Sequence, residues 1–360
     1  MMQSNFFRIS LGIIMLLVII YLGSTVGFIF QPLISLVHLT LVPVLLALFF
    51  YYLLRPVVNY LEKQRIKRAI SIILIYLVII AIIVGFSMGV WPTLRTQITN
   101  FVMNAPELIN NLTDQLKEWQ KNRFIAGLLP EGSDPLSQLS EALNRGLVLA
   151  SDYLSGIFSF VSTFVIVIAT FPIILYYMLK EGDKFSKSLL HVIPKRYHKD
   201  GREVMAEIDE ALGSFIVGRV LINVALGIMM YIGFLIIGLP YALLLTVVSV
   251  ILNFIPYVGA ILAAIPVVII GFIESPSMAI WSLVVIVVAQ QLQDNLLSPI
   301  VYGKQLDIHP LTTVILLLLG GDLGGILGII IVIPLYMVIK IIIRKVYQLF
   351  LERKMEDIMD

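Results

Sequence analysis

Apolar and polar positions follow one another along this chain in long blocks, not at the short periods of a globular domain. A run of about 20 apolar residues is enough to cross a bilayer as a helix, and such runs recur throughout the sequence. The pattern therefore predicts an all-α polytopic integral membrane protein. Its hydrophobic segments, about eight in number, lie near residues 10–30, 34–54, 69–90, 155–179, 217–238, 241–273, 277–297 and 310–343.

The first hydrophobic segment has features of a signal peptide, because Arg8 precedes an apolar stretch that begins at Leu11. That stretch continues to Phe30, however, and a second hydrophobic segment follows at once. We therefore interpret it as a retained first transmembrane helix.

Cationic residues set the predicted orientation, since loops rich in Lys and Arg stay in the cytoplasm. The short loop between segments two and three is dense in cations, and residues 180–214 and the C-terminal tail are also rich in them. The polar segment 92–152 is not, so it is predicted to be extracytoplasmic. Both termini are then cytoplasmic. The loop cations are Arg55, Lys63, Arg65, Lys67 and Arg68.

The extracytoplasmic segment carries an apolar stripe at heptad-like spacing, which is typical of an amphipathic helix. Pro106 would kink it. The helices that carry the stripe either pack on each other or on the membrane surface, or the stripe forms an oligomerisation seam. It consists of Leu94, Ile98, Phe101, Ala105, Leu108, Leu112, Leu116 and Trp119, and is continued by Leu136, Leu139, Leu143 and Leu147.

These features divide the chain into six predicted parts. They are the first three transmembrane helices (1–91), an extracytoplasmic amphipathic helical segment (92–152), a fourth transmembrane helix (153–180), a cytoplasmic amphipathic segment (181–216), a C-terminal transport core (217–345) and a cytoplasmic tail (346–360).

Two of the hydrophobic segments are interrupted by helix-breaking residues. As one continuous helix, 241–273 would extend about 50 Å, against a hydrocarbon core of about 30 Å. Pro256 lacks an amide donor and Gly259 permits unusual dihedrals, so a break is predicted near 254–259. The glycine-rich "GGDLGG" interrupts 310–343 in the same way. Each segment either crosses the membrane or turns back as a re-entrant hairpin, and the charge pattern allows both.

A polar cluster, "QQLQDNLLSP", lies between the two broken segments. On a regular helix, Gln290, Asp294 and Ser298 share one face, which could coordinate a cation or hydrogen-bond a hydroxylated solute. The alternative is that this end of the helix lies at the membrane interface. Arg219 either pairs with Asp294 or Asp322, or extends its side chain to the interface. The candidate binding residues are Asn253, Pro256, Gly259, Gln290, Gln291, Asp294, Asn295, Arg219 and Asp322.

Composition argues against an enzyme. The chain is 59% hydrophobic and only 13% charged, with a net charge of +2 and no cysteine. Its four histidines show no zinc-binding spacing, and there is no nucleophile elbow and no phosphate-binding loop. We therefore predict no catalytic residue, no metal, no cofactor and no nucleic-acid partner.

The C-terminal half resembles the AI-2E family of transporters, also called the UPF0118 membrane proteins. The resemblance is carried by "GLPYALLLTVVSVILNFIPYVGAILAAIP", "QQLQDNLLSPIVYGKQLDIHP" and "GGILGIIIVIPL". Two departures stand out: Arg219 follows Gly218 where many members have glutamine, and Asp322 lies between glycine pairs where the family often has no ionisable residue. The resemblance implies a multi-pass transporter of the bacterial inner membrane that forms homo-oligomers, by family example pentamers.

Three functional hypotheses follow. The first, implied by the resemblance, is a secondary transporter that exports a small polar solute similar to autoinducer-2. The second is a Na⁺(Li⁺)/H⁺ antiporter in which Asp294 or Asp322 binds the monovalent cation and the proton in turn. The third is a non-transporting oligomeric membrane scaffold. The paired broken segments favour transport, because a scaffold does not require them.

Overall fold

The computed structural model describes residues 12, 14, 15, 18, 27–120, 165–192, 194–302 and 308–359. All regular secondary structure within these residues is helical, which confirms the all-α class. The helices are α1 (Gly27–Lys63), α2 (Arg68–Gly89), α3 (Trp91–Gln120), α4 (Val165–Val192), α5 (His198–Ile236), α6 (Ala242–Leu252), α7 (Val258–Glu274), α8 (Pro276–Leu292), α9 (Ser298–Tyr302) and α10 (Pro310–Met359). A 3₁₀ turn (Lys195–Tyr197) precedes α5, and a π-helical turn (Gln293–Leu297) joins α8 to α9.

Four of the described segments are long and apolar enough to cross a membrane: Thr40–Lys63, Arg68–Gly89, Lys195–Ile236 and Pro276–Tyr302. Large apolar side chains stay exposed along them, as the 64% exposure of Ile82 illustrates. Such a surface suits lipid and not water, so the described helices are those of a membrane protein. The predicted first span, near 10–30, lies mostly outside the described residues.

The first half of the fold is built on α1, which packs against α2 and α4. Main-chain carbonyls of α4 accept two hydrogen bonds from α2: Arg68 Nε donates to Leu179 O at 2.7 Å, and Tyr76 Oη donates to Pro172 O at 2.7 Å. Both bonds pair polar side chains within otherwise apolar surroundings, as burial requires.

Helix α5 is a single helix of 39 residues. It continues without interruption through the predicted boundary at 216/217, so the amphipathic stretch and the fifth span form one rod. Ion pairs hold its N-terminal part to other helices: Arg55 Nη1 of α1 lies 2.5 Å from Asp209 Oδ2, and Lys345 Nζ of α10 lies 2.8 Å from Glu203 Oε2. Arg344 also pairs with Glu207.

The first broken segment is a helical hairpin. Helices α6 and α7 contain 11 and 17 residues and are separated by a turn that begins at Asn253. Gly259 packs on the end of α6 so closely that an added Cβ would lie 1.9 Å from Leu252 O. Leu245 of α6 and Val267 of α7 belong to one core cluster, so the two helices run antiparallel. The predicted break near 254–259 is confirmed, and it begins one residue earlier.

The second broken segment is a hairpin as well. Gly325 has φ 57° and ψ −141°, which L-residues with side chains rarely adopt, and the chain reverses there within α10. A Cβ added to Gly328 would lie 1.9 Å from Gly320 O. Leu317 and Ile333, on opposite sides of the turn, belong to one core cluster.

The lengths of α6 and α7 decide whether the first broken segment crosses the membrane or turns back. At about 1.5 Å per residue, neither arm of the first hairpin spans a hydrocarbon core of about 30 Å. The base of this hairpin lies beside α3, where the rings of Phe101 and Tyr241 meet edge to face at 5.6 Å. Gln97 Oε1 of α3 accepts a hydrogen bond from Leu244 N at 2.9 Å. The end of the first hairpin that is away from its turn therefore lies beside α3. The corresponding end of the second hairpin lies toward the opposite membrane face.

The apolar stripe of α3 packs within the chain over the positions that the structure describes. Leu94 is buried, and Phe101 and Leu108 pack against the core of the first hairpin. The continuation of the stripe at 136–147 lies outside the described residues. This part of the stripe packs on the first hairpin, which was not among the predicted partners, and both the packing of the outer helices on each other and the oligomerisation seam stay predictions.

The hairpin topology predicts which positions share a membrane face. Single cysteines introduced at Ile236 and Glu274, into a chain that has none, should react on the same side, since the first hairpin re-enters. Cysteines at His309 and Tyr347 should both react on the opposite side. The measurement is labelling with a membrane-impermeant maleimide before and after permeabilisation. Opposite accessibility within either pair would mean that the segment crosses.

Close packing at the hairpin glycines predicts steric sensitivity. Gly259→Ala and Gly328→Ala should each lower the free energy of unfolding by about 1–3 kcal/mol, because the new methyl group overlaps a main-chain oxygen. Gly324→Ala is the matched control, as nothing lies within 4 Å of its added Cβ. Unfolding in detergent by heat or denaturant measures the difference. Equal effects at all three positions would contradict the packing argument.

Candidate functional site

Three buried amide side chains meet at the turn of the first hairpin. Asn223 comes from α5, Asn253 from the turn of the first hairpin and Gln293 from the π-helical turn, with exposed fractions of 1%, 3% and 6%. Asn253 Nδ2 donates to Asn223 Oδ1 at 2.9 Å and to Gln293 Oε1 at 3.0 Å. Buried amides are stable only when paired in this way. We call these three residues the amide cluster.

Gln293 reaches the cluster because it continues the buried face of α8. That face carries small residues at helical spacing, including Ala279, Ser282 and Ala289, and Gln293 is the next position along it. The π-helical turn begins there; such turns are frequent at functional sites. The spacing of Ala and Ser along α8 is the sequence signal that identifies Gln293, which is not among the predicted binding residues.

The predicted polar row occupies the adjacent, more open side of the helix. Gln290 is half-buried, whereas Gln291, Asp294 and Asn295 are exposed. Asn295 Nδ2 donates to Gln291 Oε1 at 2.6 Å, so these two amides pair with each other. Asp294 is linked to the amide cluster, since its Oδ1 accepts a hydrogen bond from Gln293 Nε2 at 3.3 Å.

Arg219 lies one helical turn before Asn223 and contacts the hairpin turn. Its guanidinium donates to the main-chain carbonyl of Asn253, while its Nε is buried without a hydrogen-bond partner. Within the part of the chain that the structure describes, Arg219 forms no ion pair. Pairing with Asp294 or Asp322, and extension to the interface, were the two predicted arrangements; the observed partner is instead a backbone carbonyl.

The remaining candidates shape the backbone. Pro256 lies in the turn of the first hairpin, where its carbonyl accepts a hydrogen bond from Val258 N at 2.7 Å, and Gly259 allows α7 to approach α6. Asp322 is exposed near the turn of the second hairpin and is not part of the amide cluster.

Gly218 allows α9 to pack against Arg219. A Cβ at this position would lie 2.6 Å from Tyr302 Cε1 and 2.8 Å from Val301 Cγ1. The phenol ring of Tyr302 therefore lies beside the guanidinium, where the two groups interact electrostatically. The site thus combines neutral amides, one cation and a hydroxyl in protein-lined surroundings, a set suited to binding a small polar solute.

Discontinuous helices whose ends meet buried polar groups are the construction of a secondary transporter. The sequence comparison agrees with this class. Residues 9–348 match the family described as AI-2E family transporter, and the chain belongs to that family. It is a family of transporters and not an enzyme class.

Similar proteins occur in Bacillus subtilis and Escherichia coli. The chain is 37% identical to "Putative transport protein YueF" of Bacillus subtilis (strain 168) over 344 residues, which are 94% of this chain and 93% of the relative. It is 28% identical to "Putative transport protein YrrI" of the same organism over 91% and 92% of the two chains. It is 27% identical to "Putative permease PerM" of Escherichia coli (strain K12) over 92% of each chain. The similarity therefore extends over nearly the whole length.

The bonding of the amide cluster predicts energetic coupling between its members. Asn253→Ala removes the donor that serves two buried oxygens, so the free energy of unfolding should fall by about 1–3 kcal/mol. Combining it with Gln293→Ala should give a coupling energy of about 0.5–3 kcal/mol in a double-mutant cycle. Denaturant unfolding in detergent is the measurement. Asn295→Ala, at an exposed amide, should cost little and serves as the control; additive effects of the two buried substitutions would contradict the coupling.

Proposed function

We propose that this chain is a secondary transporter that exports a small polar solute, with autoinducer-2 as the example that its family suggests. The amide cluster and Arg219 bind the solute, and the first hairpin supplies the turn that faces it. Amide groups offer both donors and acceptors, which suits a hydroxylated molecule.

One observation carries this proposal. A hydrogen-bonded group of buried amides lies where a re-entrant turn, a π-helical turn and a membrane-crossing helix converge. Irregular backbone at membrane depth persists only where protein or a water-filled cavity satisfies it. Intramembrane polar groups of this kind mark transport pathways more often than they stabilise a fold.

The antiporter alternative rests on Asp294 and Asp322. Both carboxylates are exposed in the structure, and they belong to different parts of it, the π-helical turn and the second hairpin. The hypothesis requires one of them to bind the ion inside the membrane, where the surrounding protein supplies the other oxygen ligands, and an exposed carboxylate is less suited to this than a buried one. The geometry therefore favours the polar-solute function over antiport.

Location and assembly complete the proposal. The chain lies in the inner membrane of a bacterial cell with both termini in the cytoplasm, as the excess of Lys and Arg in the predicted inner loops favours. It works as a homo-oligomer, for which the exposed apolar faces of its helices provide surface. A pentamer is the assembly that the family resemblance suggests.

Transport assays test the function. Inside-out vesicles that contain the protein should accumulate labelled autoinducer-2, and Gln293→Ala should lower the initial rate about tenfold by removing a buried hydrogen-bonding group. Gln291→Ala, two residues away on the exposed side, should leave the rate unchanged.

Two results would contradict the proposal. The first is accumulation no greater than in vesicles without the protein. The second is Na⁺-induced dequenching of a pH-sensitive dye that disappears in Asp294→Asn without any movement of labelled solute, which would favour the antiporter. Transport of either kind by purified, reconstituted protein excludes the scaffold hypothesis.

A further inference from the structure

Hydrogen bonds in the amide cluster run in one fixed direction. An ionised carboxylate only accepts hydrogen bonds, so Asp294 requires Gln293 to present its Nε2, and the two atoms lie 3.3 Å apart. Gln293 therefore presents Oε1 to Asn253, whose Nδ2 donates to it at 3.0 Å. The same Nδ2 donates to Asn223 Oδ1 at 2.9 Å. A single carboxylate thus fixes the orientation of all three amides.

This direction leaves a donor at the end of the chain of hydrogen bonds. Asn223 has its oxygen occupied, and its Nδ2 is buried without a partner. Arg219 Nε is buried without a partner as well. The two residues are four positions apart on α5 and therefore lie on the same helix face. The hydroxyl of Tyr302 beside the guanidinium is also buried without a geometric partner and can accept from Arg219, so Asn223 Nδ2 is the donor that no neighbouring acceptor accounts for.

The charge of Arg219 is also left without a counter-ion. Its guanidinium donates to a backbone carbonyl, which carries only a partial charge. Asp294 acts on it electrostatically but forms no ion pair with it, and Asp322 is exposed on the second hairpin. Among the described residues, then, no carboxylate forms an ion pair with this buried cation, and a buried charge is stabilised best by a partner of opposite sign in direct contact.

From this excess of donors and positive charge we propose that Arg219 and Asn223 form an oxyanion subsite, which binds a carboxylate or phosphate group of the transported solute. The inference rests on the proposed transport function and adds to it a preference, among small polar solutes, for those that carry an anionic group. The guanidinium supplies the charge and a planar fork that matches an oxyanion, and Asn223 Nδ2 supplies a further donor on the same face. A neutral solute leaves the guanidinium without a counter-ion.

Arg219 could instead only fasten the hairpin turn through the carbonyl of Asn253. That role requires one N–H of the guanidinium. It does not account for the Nδ2 of Asn223, which is buried without a hydrogen-bond partner. The two roles differ in a measurable way, because loss of a fastener affects every solute equally, whereas loss of an oxyanion subsite affects only anions.

Counterflow exchange in liposomes with the full-length protein tests the inference. The labelled probes are ribitol, ribonate and ribitol 5-phosphate, which share a hydroxylated carbon chain and differ in charge. At least one anion should exchange about tenfold faster than ribitol, since hydrogen bonds to an ionised group are about twice as strong as neutral ones. The ribonate and phosphate arms tell a carboxylate preference from a phosphate preference.

Two variants remove the subsite by different means. Arg219→Gln removes the charge and should abolish the tenfold preference for the anion. Asn223→Asp keeps the oxygen that accepts from Asn253 and replaces the unpaired donor by an acceptor, so anion exchange should fall about tenfold more than ribitol exchange does. Gln291→Ala should behave as the wild type in all three arms.

The outcomes separate this inference from the proposed function. Ribitol exchanging as fast as the anions, or both variants slowing the three probes equally, would overturn the inference and leave the transport function intact. The same holds if none of the probes moves while accumulation of autoinducer-2 still depends on Gln293. Vesicles that move neither the probes nor autoinducer-2 would contradict the proposed function itself.

Discussion

The structure depends on one constraint: polar backbone groups exposed by a break in a membrane helix must find partners within the protein, because no water is present to supply them. The first hairpin meets this constraint at both ends. Leu244 N, at the start of α6, donates to Gln97 of α3, and the carbonyl of Asn253, at its end, accepts from Arg219 of α5. The hairpin thus depends on two other helices, α3 from much earlier in the chain and α5 directly before it.

The same constraint explains the chemistry of the site. Once the turn is held within a bundle, the side chains around it must be polar enough to complete its bonding. Three amides and one guanidinium do so, and their hydrogen bonds run in one direction, from the carboxylate of Asp294 toward Asn223, whose Nδ2 stays unpaired. A neutral group of amides therefore has an end that is rich in donors.

Local sequence features predicted the helices and the places where they break. Pro256, Gly259 and the glycines around Asp322 interrupt otherwise continuous apolar runs, and the chain does turn at both places. The sequence does not decide the hairpin topology, because both termini stay on the cytoplasmic side whether the two broken segments cross the membrane or re-enter. Only the antiparallel contacts within each hairpin decide it.

Site residues were harder to predict, for two physical reasons. The sequence groups Gln290, Asp294 and Ser298 by their helical spacing alone. The face of α8 that is buried is instead the one with small residues, and this face continues to Gln293 and not to Gln291. Asn223 drew attention only as a neighbour of Arg219. The partner of Arg219 is a main-chain oxygen, and such an acceptor is present at every residue, so no side-chain pattern identifies it.

Helix α5 links the amide cluster to the charged surface of the protein. Asp209, which is held by Arg55, and Asn223 lie on this one helix without an intervening break, about 20 Å apart at 1.5 Å per residue. A rod of this kind behaves as a lever: a small tilt at its charged end displaces the amide at the other. Salt that screens the ion pair between Asp209 and Arg55 can therefore act on the amide cluster through a single helix.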